Sequence, residues 1–137
     1  MKKLMMFLLL GASQSVFAGG PIGQWKTIDD ETKQAKSIVE VYQKADGTVA
    51  GKVLKLLQKP GAVCKKCDGA KKNQPIEGME ILWGLKKEGD KWTSGTILDP
   101  KKGKTYRAEI KVIDGGKTLK VTGKVLMFSR SQLWHKL

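Results

Sequence analysis

Histidine, cysteine and arginine are all scarce in this 137-residue chain. The lone histidine, His135, stands close to the last residue, and Cys64 and Cys67 are the two cysteines. A closed zinc site takes four ligands, so no metal centre is expected. Nucleophilic chemistry through a Ser–His or Cys–His pair would rest on His135, at a position prone to fray. Asp29-Asp30-Glu31 form a polar turn and Asp99 precedes Pro100, which reads as turn chemistry rather than acid–base chemistry. No glycine-rich phosphate loop leads into a helix. The chain is therefore expected to be a non-enzyme without a cofactor. Of its 26 basic residues only Arg107 and Arg130 are arginine. Base readout favours arginine and stacked aromatics, so nucleic acid is not an expected partner.

The chain opens with "MKKLMMFLLLGASQSVFA". Lys2 and Lys3 form a positive region, Leu4 to Leu10 an apolar core too short to span a bilayer, and Val16-Phe17-Ala18 a peptidase-compatible end. No lipobox cysteine precedes that end. Residues 1–18 thus read as a cleaved secretory signal, and 19–137 as a single domain in the periplasm or outside the cell.

Beyond the signal the chain punctuates itself with glycine turns: "ADG" at 45–47, "KEGD" at 87–90, "DPKKGK" at 99–104 and "DGG" at 114–116. The runs between them alternate with period two, and no helical period of comparable length appears. In one run Tyr106, Ala108, Ile110 and Val112 share a face against Thr105, Arg107, Glu109 and Lys111. In the next, Leu119, Val121, Gly123, Val125 and Met127 oppose Lys120, Thr122 and Lys124. Strands are expected near 22–28, 36–44, 48–58, 79–86, 91–98, 104–113, 117–127 and 129–136. The fold class is all-β: a single antiparallel up-and-down barrel, because closure removes exposed edges. A two-sheet β-sandwich is the alternative. In a barrel the first and last strands are neighbours, so Arg130 is expected to lie on the Trp25 indole and seal that end.

"CKKCDGAKKNQPIEGM" interrupts the pattern at 64–79. In an oxidising compartment the two cysteines should pair, a short closure that stabilises by about 2 kcal/mol. A redox catalyst would need the motif to open a helix, and Asp68-Gly69, Pro75 and Gly78 argue against one. A structural staple pinning the third loop over one mouth of the barrel ranks ahead of a redox role and of zinc.

Two functions are compatible with these residues. In the first, the barrel binds or carries a small, largely apolar ligand such as a lipid or fatty acid. Trp25, Tyr42, Trp83, Trp92, Tyr106 and Trp134 supply aromatic walls, Ala108 and Gly123 leave space, and Arg130 joins the site. In the second, the core is filled and the protein works at the envelope surface through its lysine face or stapled loop. The formal charge of +13 is spread over lysine-rich turns, which protects strand edges and also suits an anionic membrane surface. A monomer or weak dimer is expected.

Five segments carry a family resemblance: "GQWKTIDD", "SIVEVYQKADGTVAGKV", "CKKCDGAKKNQPIEGMEILWGLK", "GTILDPKKGKTY" and "SRSQLW". Together, from Gly23 to Trp134, they resemble the secreted bacterial family known as domain of unknown function 2147. The Cys-x-x-Cys with Pro-Ile-x-Gly-Met and Ile-Leu-Asp-Pro is its most specific part. The resemblance implies a lipocalin-like (calycin) barrel and no particular activity. Ser129 stands where the family tends to have glycine, while Arg130 and Trp134 match.

Overall fold

The computed structural model describes residues 20–137. The expected signal segment, residues 1–18, lies outside the described residues. Eight strands follow in order: β1 (Gly23–Ile28), β2 (Ala35–Gln43), β3 (Val49–Leu56), β4 (Glu80–Glu88), β5 (Lys91–Asp99), β6 (Lys104–Ile113), β7 (Thr118–Val125) and β8 (Phe128–Lys136). Each pairs antiparallel with the next, and β1 closes on β8, so the sheet is a complete up-and-down barrel with no free edge. The sandwich alternative is excluded by that closure.

Alternation carries the fold. Along β6, Ala108 and Ile110 are buried while Thr105 and Arg107 face solvent, and on β7 Leu119 and Val121 are buried beside exposed Lys120. Trp25, Val39, Val41, Leu82, Leu85, Ile110 and Leu119 fill the interior toward one end. That end is shut by the chain entering β1, where the Trp25 indole Nε1 donates to the Pro21 carbonyl at 2.8 Å. The opposite end carries the connections that follow β1, β3, β5 and β7.

Two expectations need correction. Arg130 does not cover Trp25. It pairs with Gly123 on β7, whereas the neighbour of Trp25 across the β1–β8 seam is Lys136. Six residues of strand separate them, about 20 Å at the usual rise, and the Lys136 ammonium occupies the place over the indole. Met127 is not on the inner face either. β7 stops at Val125, which pairs with Phe128, so Leu126 and Met127 form a two-residue turn. Leu126 has φ of 54°, a left-handed backbone that costs a side-chain-bearing residue about 1–2 kcal/mol. Hairpin turns usually announce themselves with glycine, asparagine or aspartate. This one does not, and the strand therefore read straight through it.

Candidate functional site at the open end of the barrel

The half of the barrel toward the loops is hollow. A cavity of about 430 Å³ opens there, within the range of about 300–1,000 Å³ usual for small-molecule sites. Its wall is mainly apolar: Val53, Ile81, Ile97, Tyr106, Val121 and Trp134 contribute from six of the strands and Ile76 from the stapled loop. Gly123 lies on the wall beside Tyr106, one strand over. A Cβ there would sit 3.4 Å from the Tyr106 Cβ, in ordinary contact, and anything longer would project into the space.

Polar groups enter the cavity at two levels. Thr27 Oγ1 and Ser37 Oγ, both buried, share a hydrogen bond of 2.7 Å between β1 and β2. Nearer the mouth, Arg130 Nη2 donates to Asp30 Oδ2 at 2.6 Å, and Gln132 Nε2 donates to the same oxygen at 2.9 Å. The Trp134 indole in turn donates to Gln132 Oε1 at 3.2 Å. The connection after β1 is therefore tied to β8. A second tie crosses to the connection after β5, where Lys101 Nζ lies 3.3 Å from Glu31 Oε1. Hydrogen bonding to Glu31 raises Lys101 above its ordinary pKa. Asp29 is lowered by the backbone N–H groups of Thr32 and then Glu31, from which its carboxylate accepts hydrogen bonds within the turn. Lys36 and Lys102 also line the rim, and neither has an acid within 4.0 Å among the described residues.

The long third loop braces this rim. Cys64 and Cys67 are disulfide-bonded and buried. Main-chain bonds from Cys64 N–H to the Gln74 carbonyl (2.9 Å), Asn73 N–H to the Cys64 carbonyl (2.8 Å) and Ile76 N–H to the Ala62 carbonyl (3.0 Å) fold the loop back on itself. Glu77 Oε2 accepts from the Leu56 N–H at 2.9 Å and ties its far side to β3. The loop then packs on the turn after β5: Cys64 Sγ lies 3.4 Å from the Pro100 carbonyl oxygen, and Gly103 abuts the Lys66 main chain. The cysteines act on the loop's shape, as expected of a staple at the mouth.

Four of the nine residues expected at the site border the cavity: Tyr106, Gly123, Arg130 and Trp134. Trp25 is part of the closed end. Ala108 lies in the packed region between Gly95 and Gly123, where the side chain of Leu85 takes up the room above Gly95. Tyr42, Trp83 and Trp92 are half-buried and engaged elsewhere. The Tyr42 hydroxyl donates to Glu80 at 2.8 Å. Lysine ammonium groups stand 4.0 Å from the Trp83 ring (Lys71) and 5.4 Å from the Trp92 ring (Lys87). Choosing residues for aromaticity missed the aliphatic wall and the Thr27–Ser37 pair. Strand alternation pointed to Val121; nothing in the sequence marked two inward hydroxyls. His135 pairs with Lys26 and Thr118 near the closed end, away from the cavity.

The same architecture is found in a solved structure described as "Protein HP1028 from the human pathogen Helicobacter pylori belongs to the lipocalin family". The two share 17% identity over 86% of this chain and 83% of that one, with a TM-score of 0.75. This likeness establishes the lipocalin-like fold. Among curated proteins no relative matches. A family model covers residues 23–136, the whole barrel, and by that match the chain belongs to the family of uncharacterized proteins conserved in bacteria (DUF2147).

Proposed function

We propose that the barrel binds or carries a small, largely apolar molecule with a polar head, entering through the loop-bearing end. One observation carries this reading: the interior is packed toward the closed end and hollow toward the mouth, with an apolar wall around about 430 Å³. A dry apolar wall with a few converging polar groups is the usual construction of a binding site. Thr27 and Ser37 offer hydrogen bonds inside. Lys36 and Lys102 at the rim suit a carboxylate or phosphate head, because Arg130 and Lys101 are already engaged by Asp30 and Glu31. A fatty acid has this chemistry. The reading is of a binding protein, not an enzyme, and places it outside the cytoplasm, where the buried disulfide would persist.

Titration with a long-chain fatty acid tests it, read by tryptophan fluorescence, since Trp134 borders the cavity. Saturable binding is expected in the wild type and its loss in Gly123→Leu, which fills the space without adding an indole. Equal binding by a folded Gly123→Leu protein would end the proposal. Export is tested separately by sequencing the mature N-terminus, expected at Gly19.

A further inference from the structure

Between β7 and β8 lie the most exposed large apolar side chains among the described residues, at the rim of the cavity. Leu126 is 93% exposed, Met127 92% and Phe128 73%, with half-exposed Val125 beside them. Val125 and Phe128 also line the mouth. Neither core packing nor turn chemistry accounts for this choice. Leu126 holds a positive φ at the first of two turn residues, the position where such hairpins favour glycine. Large apolar side chains held in water on a strained turn point to a surface that removes them from water.

Charge identifies the surface. Lys65 and Lys66 on the stapled loop and Lys102 and Lys104 after β5 are exposed at the same end. Gly103 packs on Lys66, and Lys102 shares the cavity rim with Phe128. None of the four has an acid within 4.0 Å among the described residues. An apolar tip beside unneutralised lysines is the pattern of a protein that rests on an anionic bilayer.

We propose that the open end docks on an anionic lipid surface. Leu126, Met127 and Phe128 enter the acyl boundary, while Lys65, Lys66, Lys102 and Lys104 lie among the headgroups. Docking in this orientation faces the cavity mouth toward the bilayer. The inference stands apart from cavity occupancy, since it rests on the outer tip and rim.

Vesicles of equal parts phosphatidylglycerol and phosphatidylcholine, floated with the full chain, provide the test. The comparison is with Leu126→Gly/Met127→Ser, which relieves the turn and should fold at least as well as the wild type. Both proteins share the same N-terminal segment, so their difference reports on the tip. The variant is expected to bind at least tenfold more weakly. Replacing the four lysines with glutamine should weaken binding to these vesicles, by about fivefold per lysine in contact, and hardly change binding to pure phosphatidylcholine. Added salt should weaken the wild type. Equal flotation of the wild type and the tip variant would overturn the proposal. So would wild-type self-association that the tip variant abolishes while vesicle binding persists, which would make the tip a contact between copies.

Discussion

The Lys136 ammonium stands 4.8 Å from the centre of the Trp25 ring, across the seam where the last strand closes on the first. Its stem lies along the entry to β1, and Nζ reaches to 3.4 Å from the Ile22 carbonyl. A cation over a fully buried indole shields that end from water with its methylenes as much as with its charge.

Lys136→Met should retain the stem, lose the cation and reduce stability by roughly 0.5–1 kcal/mol. Lys136→Ala should lose more. Arg130→Ala, which removes an exposed pair with Asp30 at the opposite end, should change stability by less than about 1 kcal/mol. Urea denaturation of the three variants checks the order. A larger loss for Arg130→Ala than for Lys136→Ala would contradict this assignment of the seam.

Gly103 meets the main chain of Lys66, and its φ of 69° is one that only glycine adopts freely. Gly103→Ala should therefore cost about 1–2 kcal/mol for the backbone alone, with more from the displaced loop. A thermal melt should fall by several degrees. With the loop released by removal of both cysteines, the same substitution should cost less, because displacement of the loop is then easier. Strict additivity in that double-mutant cycle would show that loop and turn are uncoupled.

Removing the staple by Cys64→Ala/Cys67→Ala should leave the barrel folded and about 2 kcal/mol less stable. Alanine is the appropriate replacement because both sulfurs are buried and serine would bury hydroxyls. The local effect should exceed the global one: limited trypsin digestion should cut at Lys65 and Lys66 sooner than in the wild type. Unchanged protection at those lysines would mean that the loop's main-chain bonds hold it without the disulfide.

Tyr42 and Glu80 set a pH window. Burial acts to raise Glu80, but hydrogen bonds from Lys44 and Tyr42 outweigh it and leave the carboxyl below its ordinary 4.5. Its contribution to stability is thus complete above that value and fades as pH falls through the lowered one. Burial, then the bond to Glu80, pushes the Tyr42 phenol from 10.0 up to about 12. That contribution is complete below pH 10.0 and disappears as pH climbs toward about 12. Tyr42→Phe should lose about 1 kcal/mol at neutral pH and flatten the alkaline limb. Ultraviolet titration should find a late-titrating phenol in the wild type that the variant lacks.

The sequence by itself determined the class of fold and nearly all of its elements. Period-two burial, with glycine turns every eight to eleven residues, leaves a chain little choice but hairpin strands. Eight of those in order bury one face fully by closing. The staple was equally legible, since two cysteines three positions apart, once paired, close a local loop. Which side chains border the cavity was decided by the tertiary structure. Alternation says that Ala108 and Gly123 face inward; it does not say that Leu85 fills the space above Gly95 beside Ala108 while the space at Gly123 stays open. That depends on side chains arriving from strands distant in sequence. The seam was misjudged for the same reason: register across β1 and β8, set by closure, brings Lys136 rather than Arg130 to Trp25. The turn at Leu126 and Met127 carries no local signal, because its residues oppose its geometry. Only the pairing of Val125 with Phe128 turns a continuous apolar strand into an exposed tip at the mouth of the barrel.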